Sequence, residues 1–332
     1  MSENNLPWEQ PGWLDQAKAW IRDKLEQNNI KIRGEIVQTH IRPWSTVLST
    51  DTTDGPVFFK ASAPYFGHET GLTDFLARLY PQIMPNLVGF DLNRRWLLMR
   101  NSGVPLRTLI KAEKSILRWQ EVLPLYVGLQ KGLVPYESEL LNLKVLDRRL
   151  SRLPRLFLDL MKNEDAMLVD QPESLTADEF NRLKTFGPRF EEMCAHLADF
   201  GIPETLHHDD FHDGNIFLQD DRIIFTDWGE SAVAHPFFSL VVMLRSVENS
   251  LDLPPDAVEM QTMREWYLSL WNEYGSVSEL EAVVNIAERV GYINRALTWH
   301  MVVSQLPDAL KPEYAIAVPS YLKDFINSVG EK

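Results

Sequence analysis

Apolar residues along the first hundred positions follow two different periods. Over 13–27 they recur at Trp13, Ala17, Trp20, Ile21 and Leu25, the stripe of an amphipathic helix, and Asp15 suits its first turn. Ile36-Val37 and Val47-Leu48 then sit in short strand-like runs. The turn signal Asp54-Gly55 leads into a third run, Val57-Phe58-Phe59-Lys60-Ala61. Residues 68–80 return to helical spacing, with Leu72, Phe75, Leu76 and Leu79 on one side and Pro81 as the stop. Residues 87–90 and 96–99 are two more short strands around Asn93-Arg94. The pattern predicts three strands, a helix and two strands.

Residues 100–103, Arg-Asn-Ser-Gly, break this pattern and read as a hinge, placed at about 100–105. From Leu106 onward helical periodicity dominates, with candidate helices at 115–133, 139–162, 176–200, 236–250, 255–274, 278–305 and 319–329. The exception is 207–228, where loop residues and two short apolar runs, 216–218 and 223–225, interrupt the helices. The predicted fold class is α+β with two lobes. Residues 1–100 form a small antiparallel-sheet lobe with a helix, and residues 106–332 form a larger, mainly helical lobe. Such an anatomy places a site in the cleft between lobes. No internal repeat or low-complexity segment is present.

Composition narrows the partners. A chain of 332 residues has ample core for two lobes, and 45% hydrophobic with 24% charged residues is the balance of a soluble globular protein. The net charge of −14 disfavours a nucleic-acid partner, whose phosphates need surplus Lys and Arg. The single cysteine, Cys194, excludes an intrachain disulfide and a cysteine-built structural zinc site, and its helical setting FEEMCAHLADF predicts core packing. The opening MSENNLPWEQ has no signal-peptide pattern. The longest uncharged run, 231–244, is too short to span a bilayer and is interrupted by His235-Pro236. A cytoplasmic protein without a membrane partner is the expectation.

The candidate chemistry lies in HHDDFHDGNIFL (207–218) and IIFTDWGE (223–230). Asn215 follows Asp210 by five positions, the D-x-x-x-x-N spacing of a kinase catalytic loop, and Asp227 follows a short apolar run. A base, an amide oxygen and a further carboxylate are the groups that hold Mg²⁺-ATP and orient a hydroxyl. Asn215 and Asp227 supply the hard oxygen donors that Mg²⁺ prefers. Gly214 permits a sharp turn before Asn215. Upstream, Lys60 ends an apolar strand and can reach ATP phosphates if a helix carboxylate holds it; Glu69, opening the next helix, is the candidate. Neither G-x-x-x-x-G-K-[ST] nor G-x-G-x-x-G occurs, which excludes a Walker-type NTPase, a dinucleotide fingerprint and the usual glycine-rich kinase loop. HIRPWST (40–46) stands before Lys60 instead, and Ser45 and Thr46 are candidates to cover phosphates through N–H or hydroxyl groups.

These residues resemble the aminoglycoside phosphotransferase and choline kinase-like family, which has a protein-kinase-like fold. HHDDFHDGNIF resembles its H-G-D-x-H-x-x-N loop, with Asp209 where Gly is usual, and TDWGE resembles its metal segment. VFFKA and HETGLTDFL resemble its ATP-lysine strand and Glu helix, and WLLMRNSGVPL its hinge, so the likeness runs over about 34–305. The resemblance implies Asp210 as catalytic base, Asn215 and Asp227 as Mg²⁺ ligands, Lys60 on the ATP phosphates and Glu69 paired with Lys60. It also implies adenine contacts from the backbone of Met99, Arg100 and Asn101. The implied reaction moves the γ-phosphoryl group of ATP to a hydroxyl of a small molecule.

An amino sugar or amino alcohol is the favoured acceptor, read by Glu230 with Tyr292 and Trp299 from a carboxylate and an aromatic wall. Glu288, Asn294 and Arg295 on the helix of Tyr292 and Trp299 are further candidates to line that pocket, other small alcohols are the next acceptors in order, and His208 and His212 are expected to brace the loop. Two competing readings stand beside this one. A kinase-fold protein that binds nucleotide without turnover would carry the same residues. A zinc hydrolase would use His208 and His212 at i, i+4, which requires a helix through both.

Overall fold

A computed structural model describes residues 6–254 and 256–330 of the protein. The strands in chain order are β1 (Val37–Ile41), β2 (Ser45–Thr52), β3 (Gly55–Ser62), β4 (Leu87–Asp91), β5 (Trp96–Arg100), β6 (Val104–Pro105), β7 (Leu146–Asp147), β8 (Thr205–His207), β9 (Ile216–Gln219), β10 (Arg222–Phe225) and β11 (Ala232–Ala234). The helices are α1 (Trp13–Gln27), α2 (His68–Leu79), α3 (Leu106–Glu113), α4 (Trp119–Leu133), α5 (Glu137–Asn142), α6 (Leu153–Leu160) and α7 (Ala177–Thr185). They continue with α8 (Gly187–Asp199), α9 (Ser239–Leu251), α10 (Val258–Ser269), α11 (Val277–Gln305), α12 (Lys311–Tyr314) and α13 (Ala317–Val329). The chain divides into two compact units. One comprises Met1–Leu106, Gly214–Gly229 and Gln305–Leu310, and the other Arg107–Asp213, Glu230–Ser304 and Lys311–Lys332.

The first unit is built on an antiparallel sheet of order β1-β2-β3-β5-β4. Its core forms where the apolar stripe of α1 meets one sheet face: Ala17, Trp20, Ile21 and Leu25 pack with Leu48, Val57, Phe59, Trp96 and Leu98. Edge-to-face ring contacts fix that layer, with Trp20–Trp96 centroids 5.5 Å apart and Phe59–Trp96 5.3 Å apart. Strand alternation then decides where chemistry is placed. Val57, Phe59 and Ala61 turn into the α1 core, so Phe58 and Lys60 face the other way. A second small sheet, β10-β9-β6, carries the segment that ends at Asp227.

In the second unit β8 lies beside β11, which pairs in parallel with β7. Helices surround this sheet, and the fully buried side chains Trp119, Tyr126, Tyr267, Phe237 and Trp271 fill the space. Cys194 is buried, as its helical setting predicts.

Several expected helices need correction. The span 139–162 is broken: α5 stops at Asn142, Lys144 takes a left-handed φ of 68°, and β7 intervenes before α6. The span 176–200 divides into α7 and α8, with Pro188 in the first turn of the second helix. The expected helix at 255 begins at Val258, and residue 255 itself lies outside the described residues. The two- and three-residue strands β6, β7, β8 and β11 have too few positions to show any period.

The hinge sequence owes its course to Gly103. Its φ is 99°, and a Cβ there would stand 1.9 Å from the Leu218 carbonyl oxygen on β9. Gly103→Ala is therefore expected to destabilise the protein by about 3 kcal/mol, through strain and loss of the β6–β9 pairing. Urea unfolding checks this, and an unchanged midpoint would show that the hinge tolerates a side chain.

Candidate active site

The first unit assembles a lysine between two carboxylates. Lys60 Nζ lies 2.6 Å from Glu69 Oε1 and 2.6 Å from Asp227 Oδ1. Strand alternation delivers Lys60, the first turn of α2 delivers Glu69, and the turn after β10 delivers Asp227. The other Glu69 oxygen accepts a 2.5 Å hydrogen bond from Ser62 Oγ. Burial opposes the charge on Lys60, but Asp227 and Glu69 outweigh it and hold the ammonium well above its ordinary pKa. Burial pushes Glu69 upward while Lys60 pulls it down. Ser62, two residues beyond Lys60 on the same strand face, was not foreseen; the period of two is the signal that finds it.

Asn215 and Asp227 are brought together by the β9–β10 hairpin. Thr226 N and Oγ1 donate to the Asn215 carbonyl at 2.9 and 3.0 Å, directly beyond the Ile216–Phe225 pair. Asp227 turns there with a φ of 63°, and its side chain is half exposed. Gly229 leaves room for the helix carboxylate: a Cβ there would come within 3.3 Å of Glu69 Oε2.

Several of the phosphate and adenine candidates have hydrogen-bond partners within the first unit. Thr46 is buried, and its hydroxyl donates to the His40 carbonyl while accepting from Gln38, so it is committed within the sheet. Ser45 is likewise buried, opposite Ser62 in the ladder. In the hinge, the Arg100 N–H donates to Asn86 O and the Asn101 N–H to Pro56 O. Met99 pairs with Phe58 on the Lys60 side of the sheet.

The second unit holds Asp210 in a buried ionic cluster. β8 runs into His208-Asp209-Asp210, and the loop is pinned by Phe211, which stacks on Tyr126 at 3.7 Å and meets Trp119 edge-on. The Tyr126 hydroxyl also accepts from the His208 N–H. Asp209 adopts a φ of 56° and is buried. Its carboxylate receives Asn294 Nδ2 at 2.7 Å, Thr298 Oγ1 at 2.6 Å and His207 Nε2 at 3.0 Å. Arg295 donates to the Asp209 carbonyl at 2.9 Å and to Glu230 Oε2 at 2.5 Å, and its other terminal nitrogen stands 3.7 Å from Asp210 Oδ1. His212 Nε2 lies 3.3 Å from Asp210 Oδ2.

These charges separate the acids. Burial alone would raise Asp210, yet His212, Arg295 and His208 hold it well below the usual carboxylate range. Asp209 is lowered in the same way, chiefly by Arg295 and His207. Glu230 goes the other way: burial and the charge of Asp210 raise it to about 8. His212 is raised, because Asp210 outweighs the opposing effect of burial.

Of the acceptor candidates, Glu230 precedes β11, and Glu288, Tyr292 and Trp299 lie on α11. Glu230 is engaged by Arg295, Glu288 pairs with Arg264 at 2.5 Å, and the charged neighbours of Tyr292 are Glu288, Asp324, Arg245 and Arg264. Trp299 is half-buried on the same helix. Asn294, Arg295 and Thr298 brace the loop at Asp209, and their sequence signal is three polar residues among Ile293, Ala296 and Leu297. Residues 208–215 form a loop without the helix that a zinc site at His208 and His212 requires. Among the described residues no group of three or more His, Cys, Asp or Glu is arranged to hold a metal. No described helix is long and apolar enough to cross a membrane.

Comparisons with known proteins bear on the family and the fold. The model of the phosphotransferase enzyme family matches residues 140–280, which contain HHDDFHDGNIF and TDWGE, and the family resemblance holds over that segment. A search of curated proteins finds no match. Among solved structures, the ethanolamine kinase of Plasmodium vivax is 15% identical, with 92% of this chain and 84% of that chain covered and a TM-score of 0.59. A choline kinase from Streptococcus pneumoniae is 13% identical over 94% and 98% of the two chains, with a TM-score of 0.59. A choline/ethanolamine kinase family protein of Mesorhizobium loti is 12% identical over 94% of each chain, with a TM-score of 0.61. These likenesses show the fold, which is the α+β, protein-kinase-like one.

Glu230 gives this cluster a pH signature. A glutamate raised to about 8 binds its proton more tightly folded than unfolded. Its contribution to stability is present below the ordinary glutamate pKa and is lost as pH rises through about 8. Glu230→Gln is thus expected to gain stability over the parent as pH rises from about 5 to 9, by on the order of 2 kcal/mol. Denaturant unfolding at both pH values checks this, and a pH-independent difference would mean that Arg295 keeps Glu230 ionised throughout.

Proposed function

We propose that this protein is a phosphotransferase that moves the γ-phosphoryl group of ATP, with Mg²⁺, to a hydroxyl of a small molecule. The observation that carries the reading is Lys60 held at 2.6 Å by both Glu69 and Asp227. A cation fixed by a helix carboxylate beside a second, half-exposed carboxylate is the arrangement that aligns nucleotide phosphates. The family match over 140–280 supports the same reaction class.

The donor set fits magnesium. Asp227 offers a carboxylate oxygen beyond the one bound to Lys60, and Asn215, at the other end of the same hairpin, is the candidate to supply an amide oxygen. Two protein oxygens leave positions for phosphate oxygens and water, which is how Mg²⁺ is usually held. When bound, the ion neutralises charge on the β- and γ-phosphates. Lys60 orients those phosphates, and Glu69 with Ser62 limits the lysine to one direction. Asp210 accepts a hydrogen bond from the acceptor hydroxyl and points its oxygen in line with the phosphorus. Because Asp210 lies well below the usual carboxylate range, it orients the hydroxyl first and takes the proton late, as the new O–P bond forms.

Asp210→Asn is expected to lower kcat by about 10²–10⁴-fold while leaving ATP affinity within a factor of a few. Mg²⁺-dependent ADP release and calorimetric ATP binding check this. Near-normal turnover in the variant would remove Asp210 from the mechanism, and ATP binding without turnover in the parent would favour a silent nucleotide-binding protein.

A further inference from the structure

Within the second unit a pocket of about 320 Å³ opens beside the catalytic loop, and no acidic residue lines it. Its wall carries Arg107, Lys111, Arg245 and His212, with Asn249 and Ser250 between them. This is a local cationic surface on a chain of net charge −14. Arg107 is held by Asp213 at 2.7 Å, and Asp213 is fully buried with its other oxygen bound to Ser250 Oγ at 2.6 Å. The acid therefore sits behind the wall, and the half-exposed guanidinium stands in front of it. Arg245 pairs with Asp324 at 2.8 Å and keeps 41% of its side chain exposed. Lys111 is exposed and forms no ion pair among the described residues. Two arginines with fixed forks and a lysine point charge suit a carboxylate or phosphate group, not an ammonium.

The pocket is tied to the reacting centre by one side chain. His212 lines the pocket, its Nε2 meets Asp210 at 3.3 Å, and its Nδ1 faces Arg107 Nη2 at 3.4 Å. A hydroxyl on Asp210 and an anion on Arg107 are thus separated by little more than one imidazole ring. The volume lies at the low end for ligand sites, which suits a short carbon chain.

We infer that the phosphoryl acceptor is a small hydroxylated anion, a hydroxy acid or a phosphate monoester, whose charged end sits among Arg107, Lys111 and Arg245. This rests on the phosphotransferase reading and replaces the amine acceptor that the sequence favours. In the transfer, the acceptor oxygen bonds to the γ-phosphorus, the bond from that phosphorus to the β,γ-bridging oxygen breaks, ADP leaves, and the hydroxyl proton passes to Asp210.

The test uses the full chain in two parallel measurements. Calorimetry reads binding of inorganic phosphate and of glycerate, with no need for turnover. ADP release from Mg²⁺-ATP is read with glycerol 3-phosphate, glycerate, glycerol and ethanolamine. The expected result is binding of at least one anion, weakened roughly tenfold or more in Lys111→Glu, and ADP release with an anionic acceptor but not with glycerol or ethanolamine. Glycerate as acceptor identifies a hydroxy acid, and glycerol 3-phosphate a phosphate monoester. The inference is overturned if neither anion binds, if binding is unchanged in both Lys111→Glu and Arg245→Gln, or if ethanolamine or glycerol works as well as the anions. Anion binding without any transfer from ATP overturns the phosphotransferase reading, and the acceptor role with it, while the cationic pocket stands.

Discussion

One guanidinium, that of Arg295, is shared among three acids. It donates to the Asp209 backbone and to Glu230, and it stands near the carboxylates of both Asp209 and Asp210. Arg295 is 3% exposed, so water contributes almost nothing to its solvation. A buried ion cluster of this kind is not a strong net source of stability, because desolvation cancels much of the attraction. Removing its one fixed cation is a different matter: it leaves buried carboxylates facing one another, and breaking a buried pair costs about 3–5 kcal/mol. Arg295 is therefore better understood as what allows acidic residues to be concentrated in the loop at all. Its guanidinium also lies 5.6 Å from the Tyr321 ring, which fixes it from a further side.

The distribution of protons in that cluster follows from which acid Arg295 and the histidines reach best. Asp210 has His212 and His208 as well as Arg295 and stays ionised. Glu230 has Arg295 alone against burial and two neighbouring carboxylates, and it is the acid that keeps its proton near neutral pH. Like charges at close range push titrations apart. A candidate base that remains charged beside a carboxyl that remains neutral is the outcome.

Much of the first unit was legible because its signals are local. The stripe Trp13 to Leu25, the alternation around Lys60 and the turn at Asp54-Gly55 each lie within one element, and α1, β3 and α2 fall where those periods put them. Lys60 and Glu69 meet because strand alternation turns the lysine away from the Phe59 core and the glutamate opens the next helix. In the second unit the long helix α11 was legible, but its function was not. A helical period says which residues share a face, not what they meet. Asn294 and Thr298 meet Asp209, eighty-five and eighty-nine positions earlier in the chain. The short strands were illegible for a different reason, since their pairing is set entirely by distant segments.

Asp209 shows how a departure from a motif can become structural. In a left-handed turn where glycine is the undemanding choice, this chain carries an aspartate with φ of 56°. Backbone strain of that kind persists only where the surroundings over-determine it. Here Asn294, Thr298, His207 and Arg295 each bond the residue. The loop is thereby fastened to α11 by side-chain hydrogen bonds, where a glycine could offer only its backbone. That attachment engages Glu230 through Arg295, and so the acidic side chain expected to receive an ammonium already has a guanidinium for a partner. On the other side of Asp210, His212 leads to Arg107 and a wall without acids. The two effects act in the same direction: one removes a partner for a cation, and the other supplies partners for an anion.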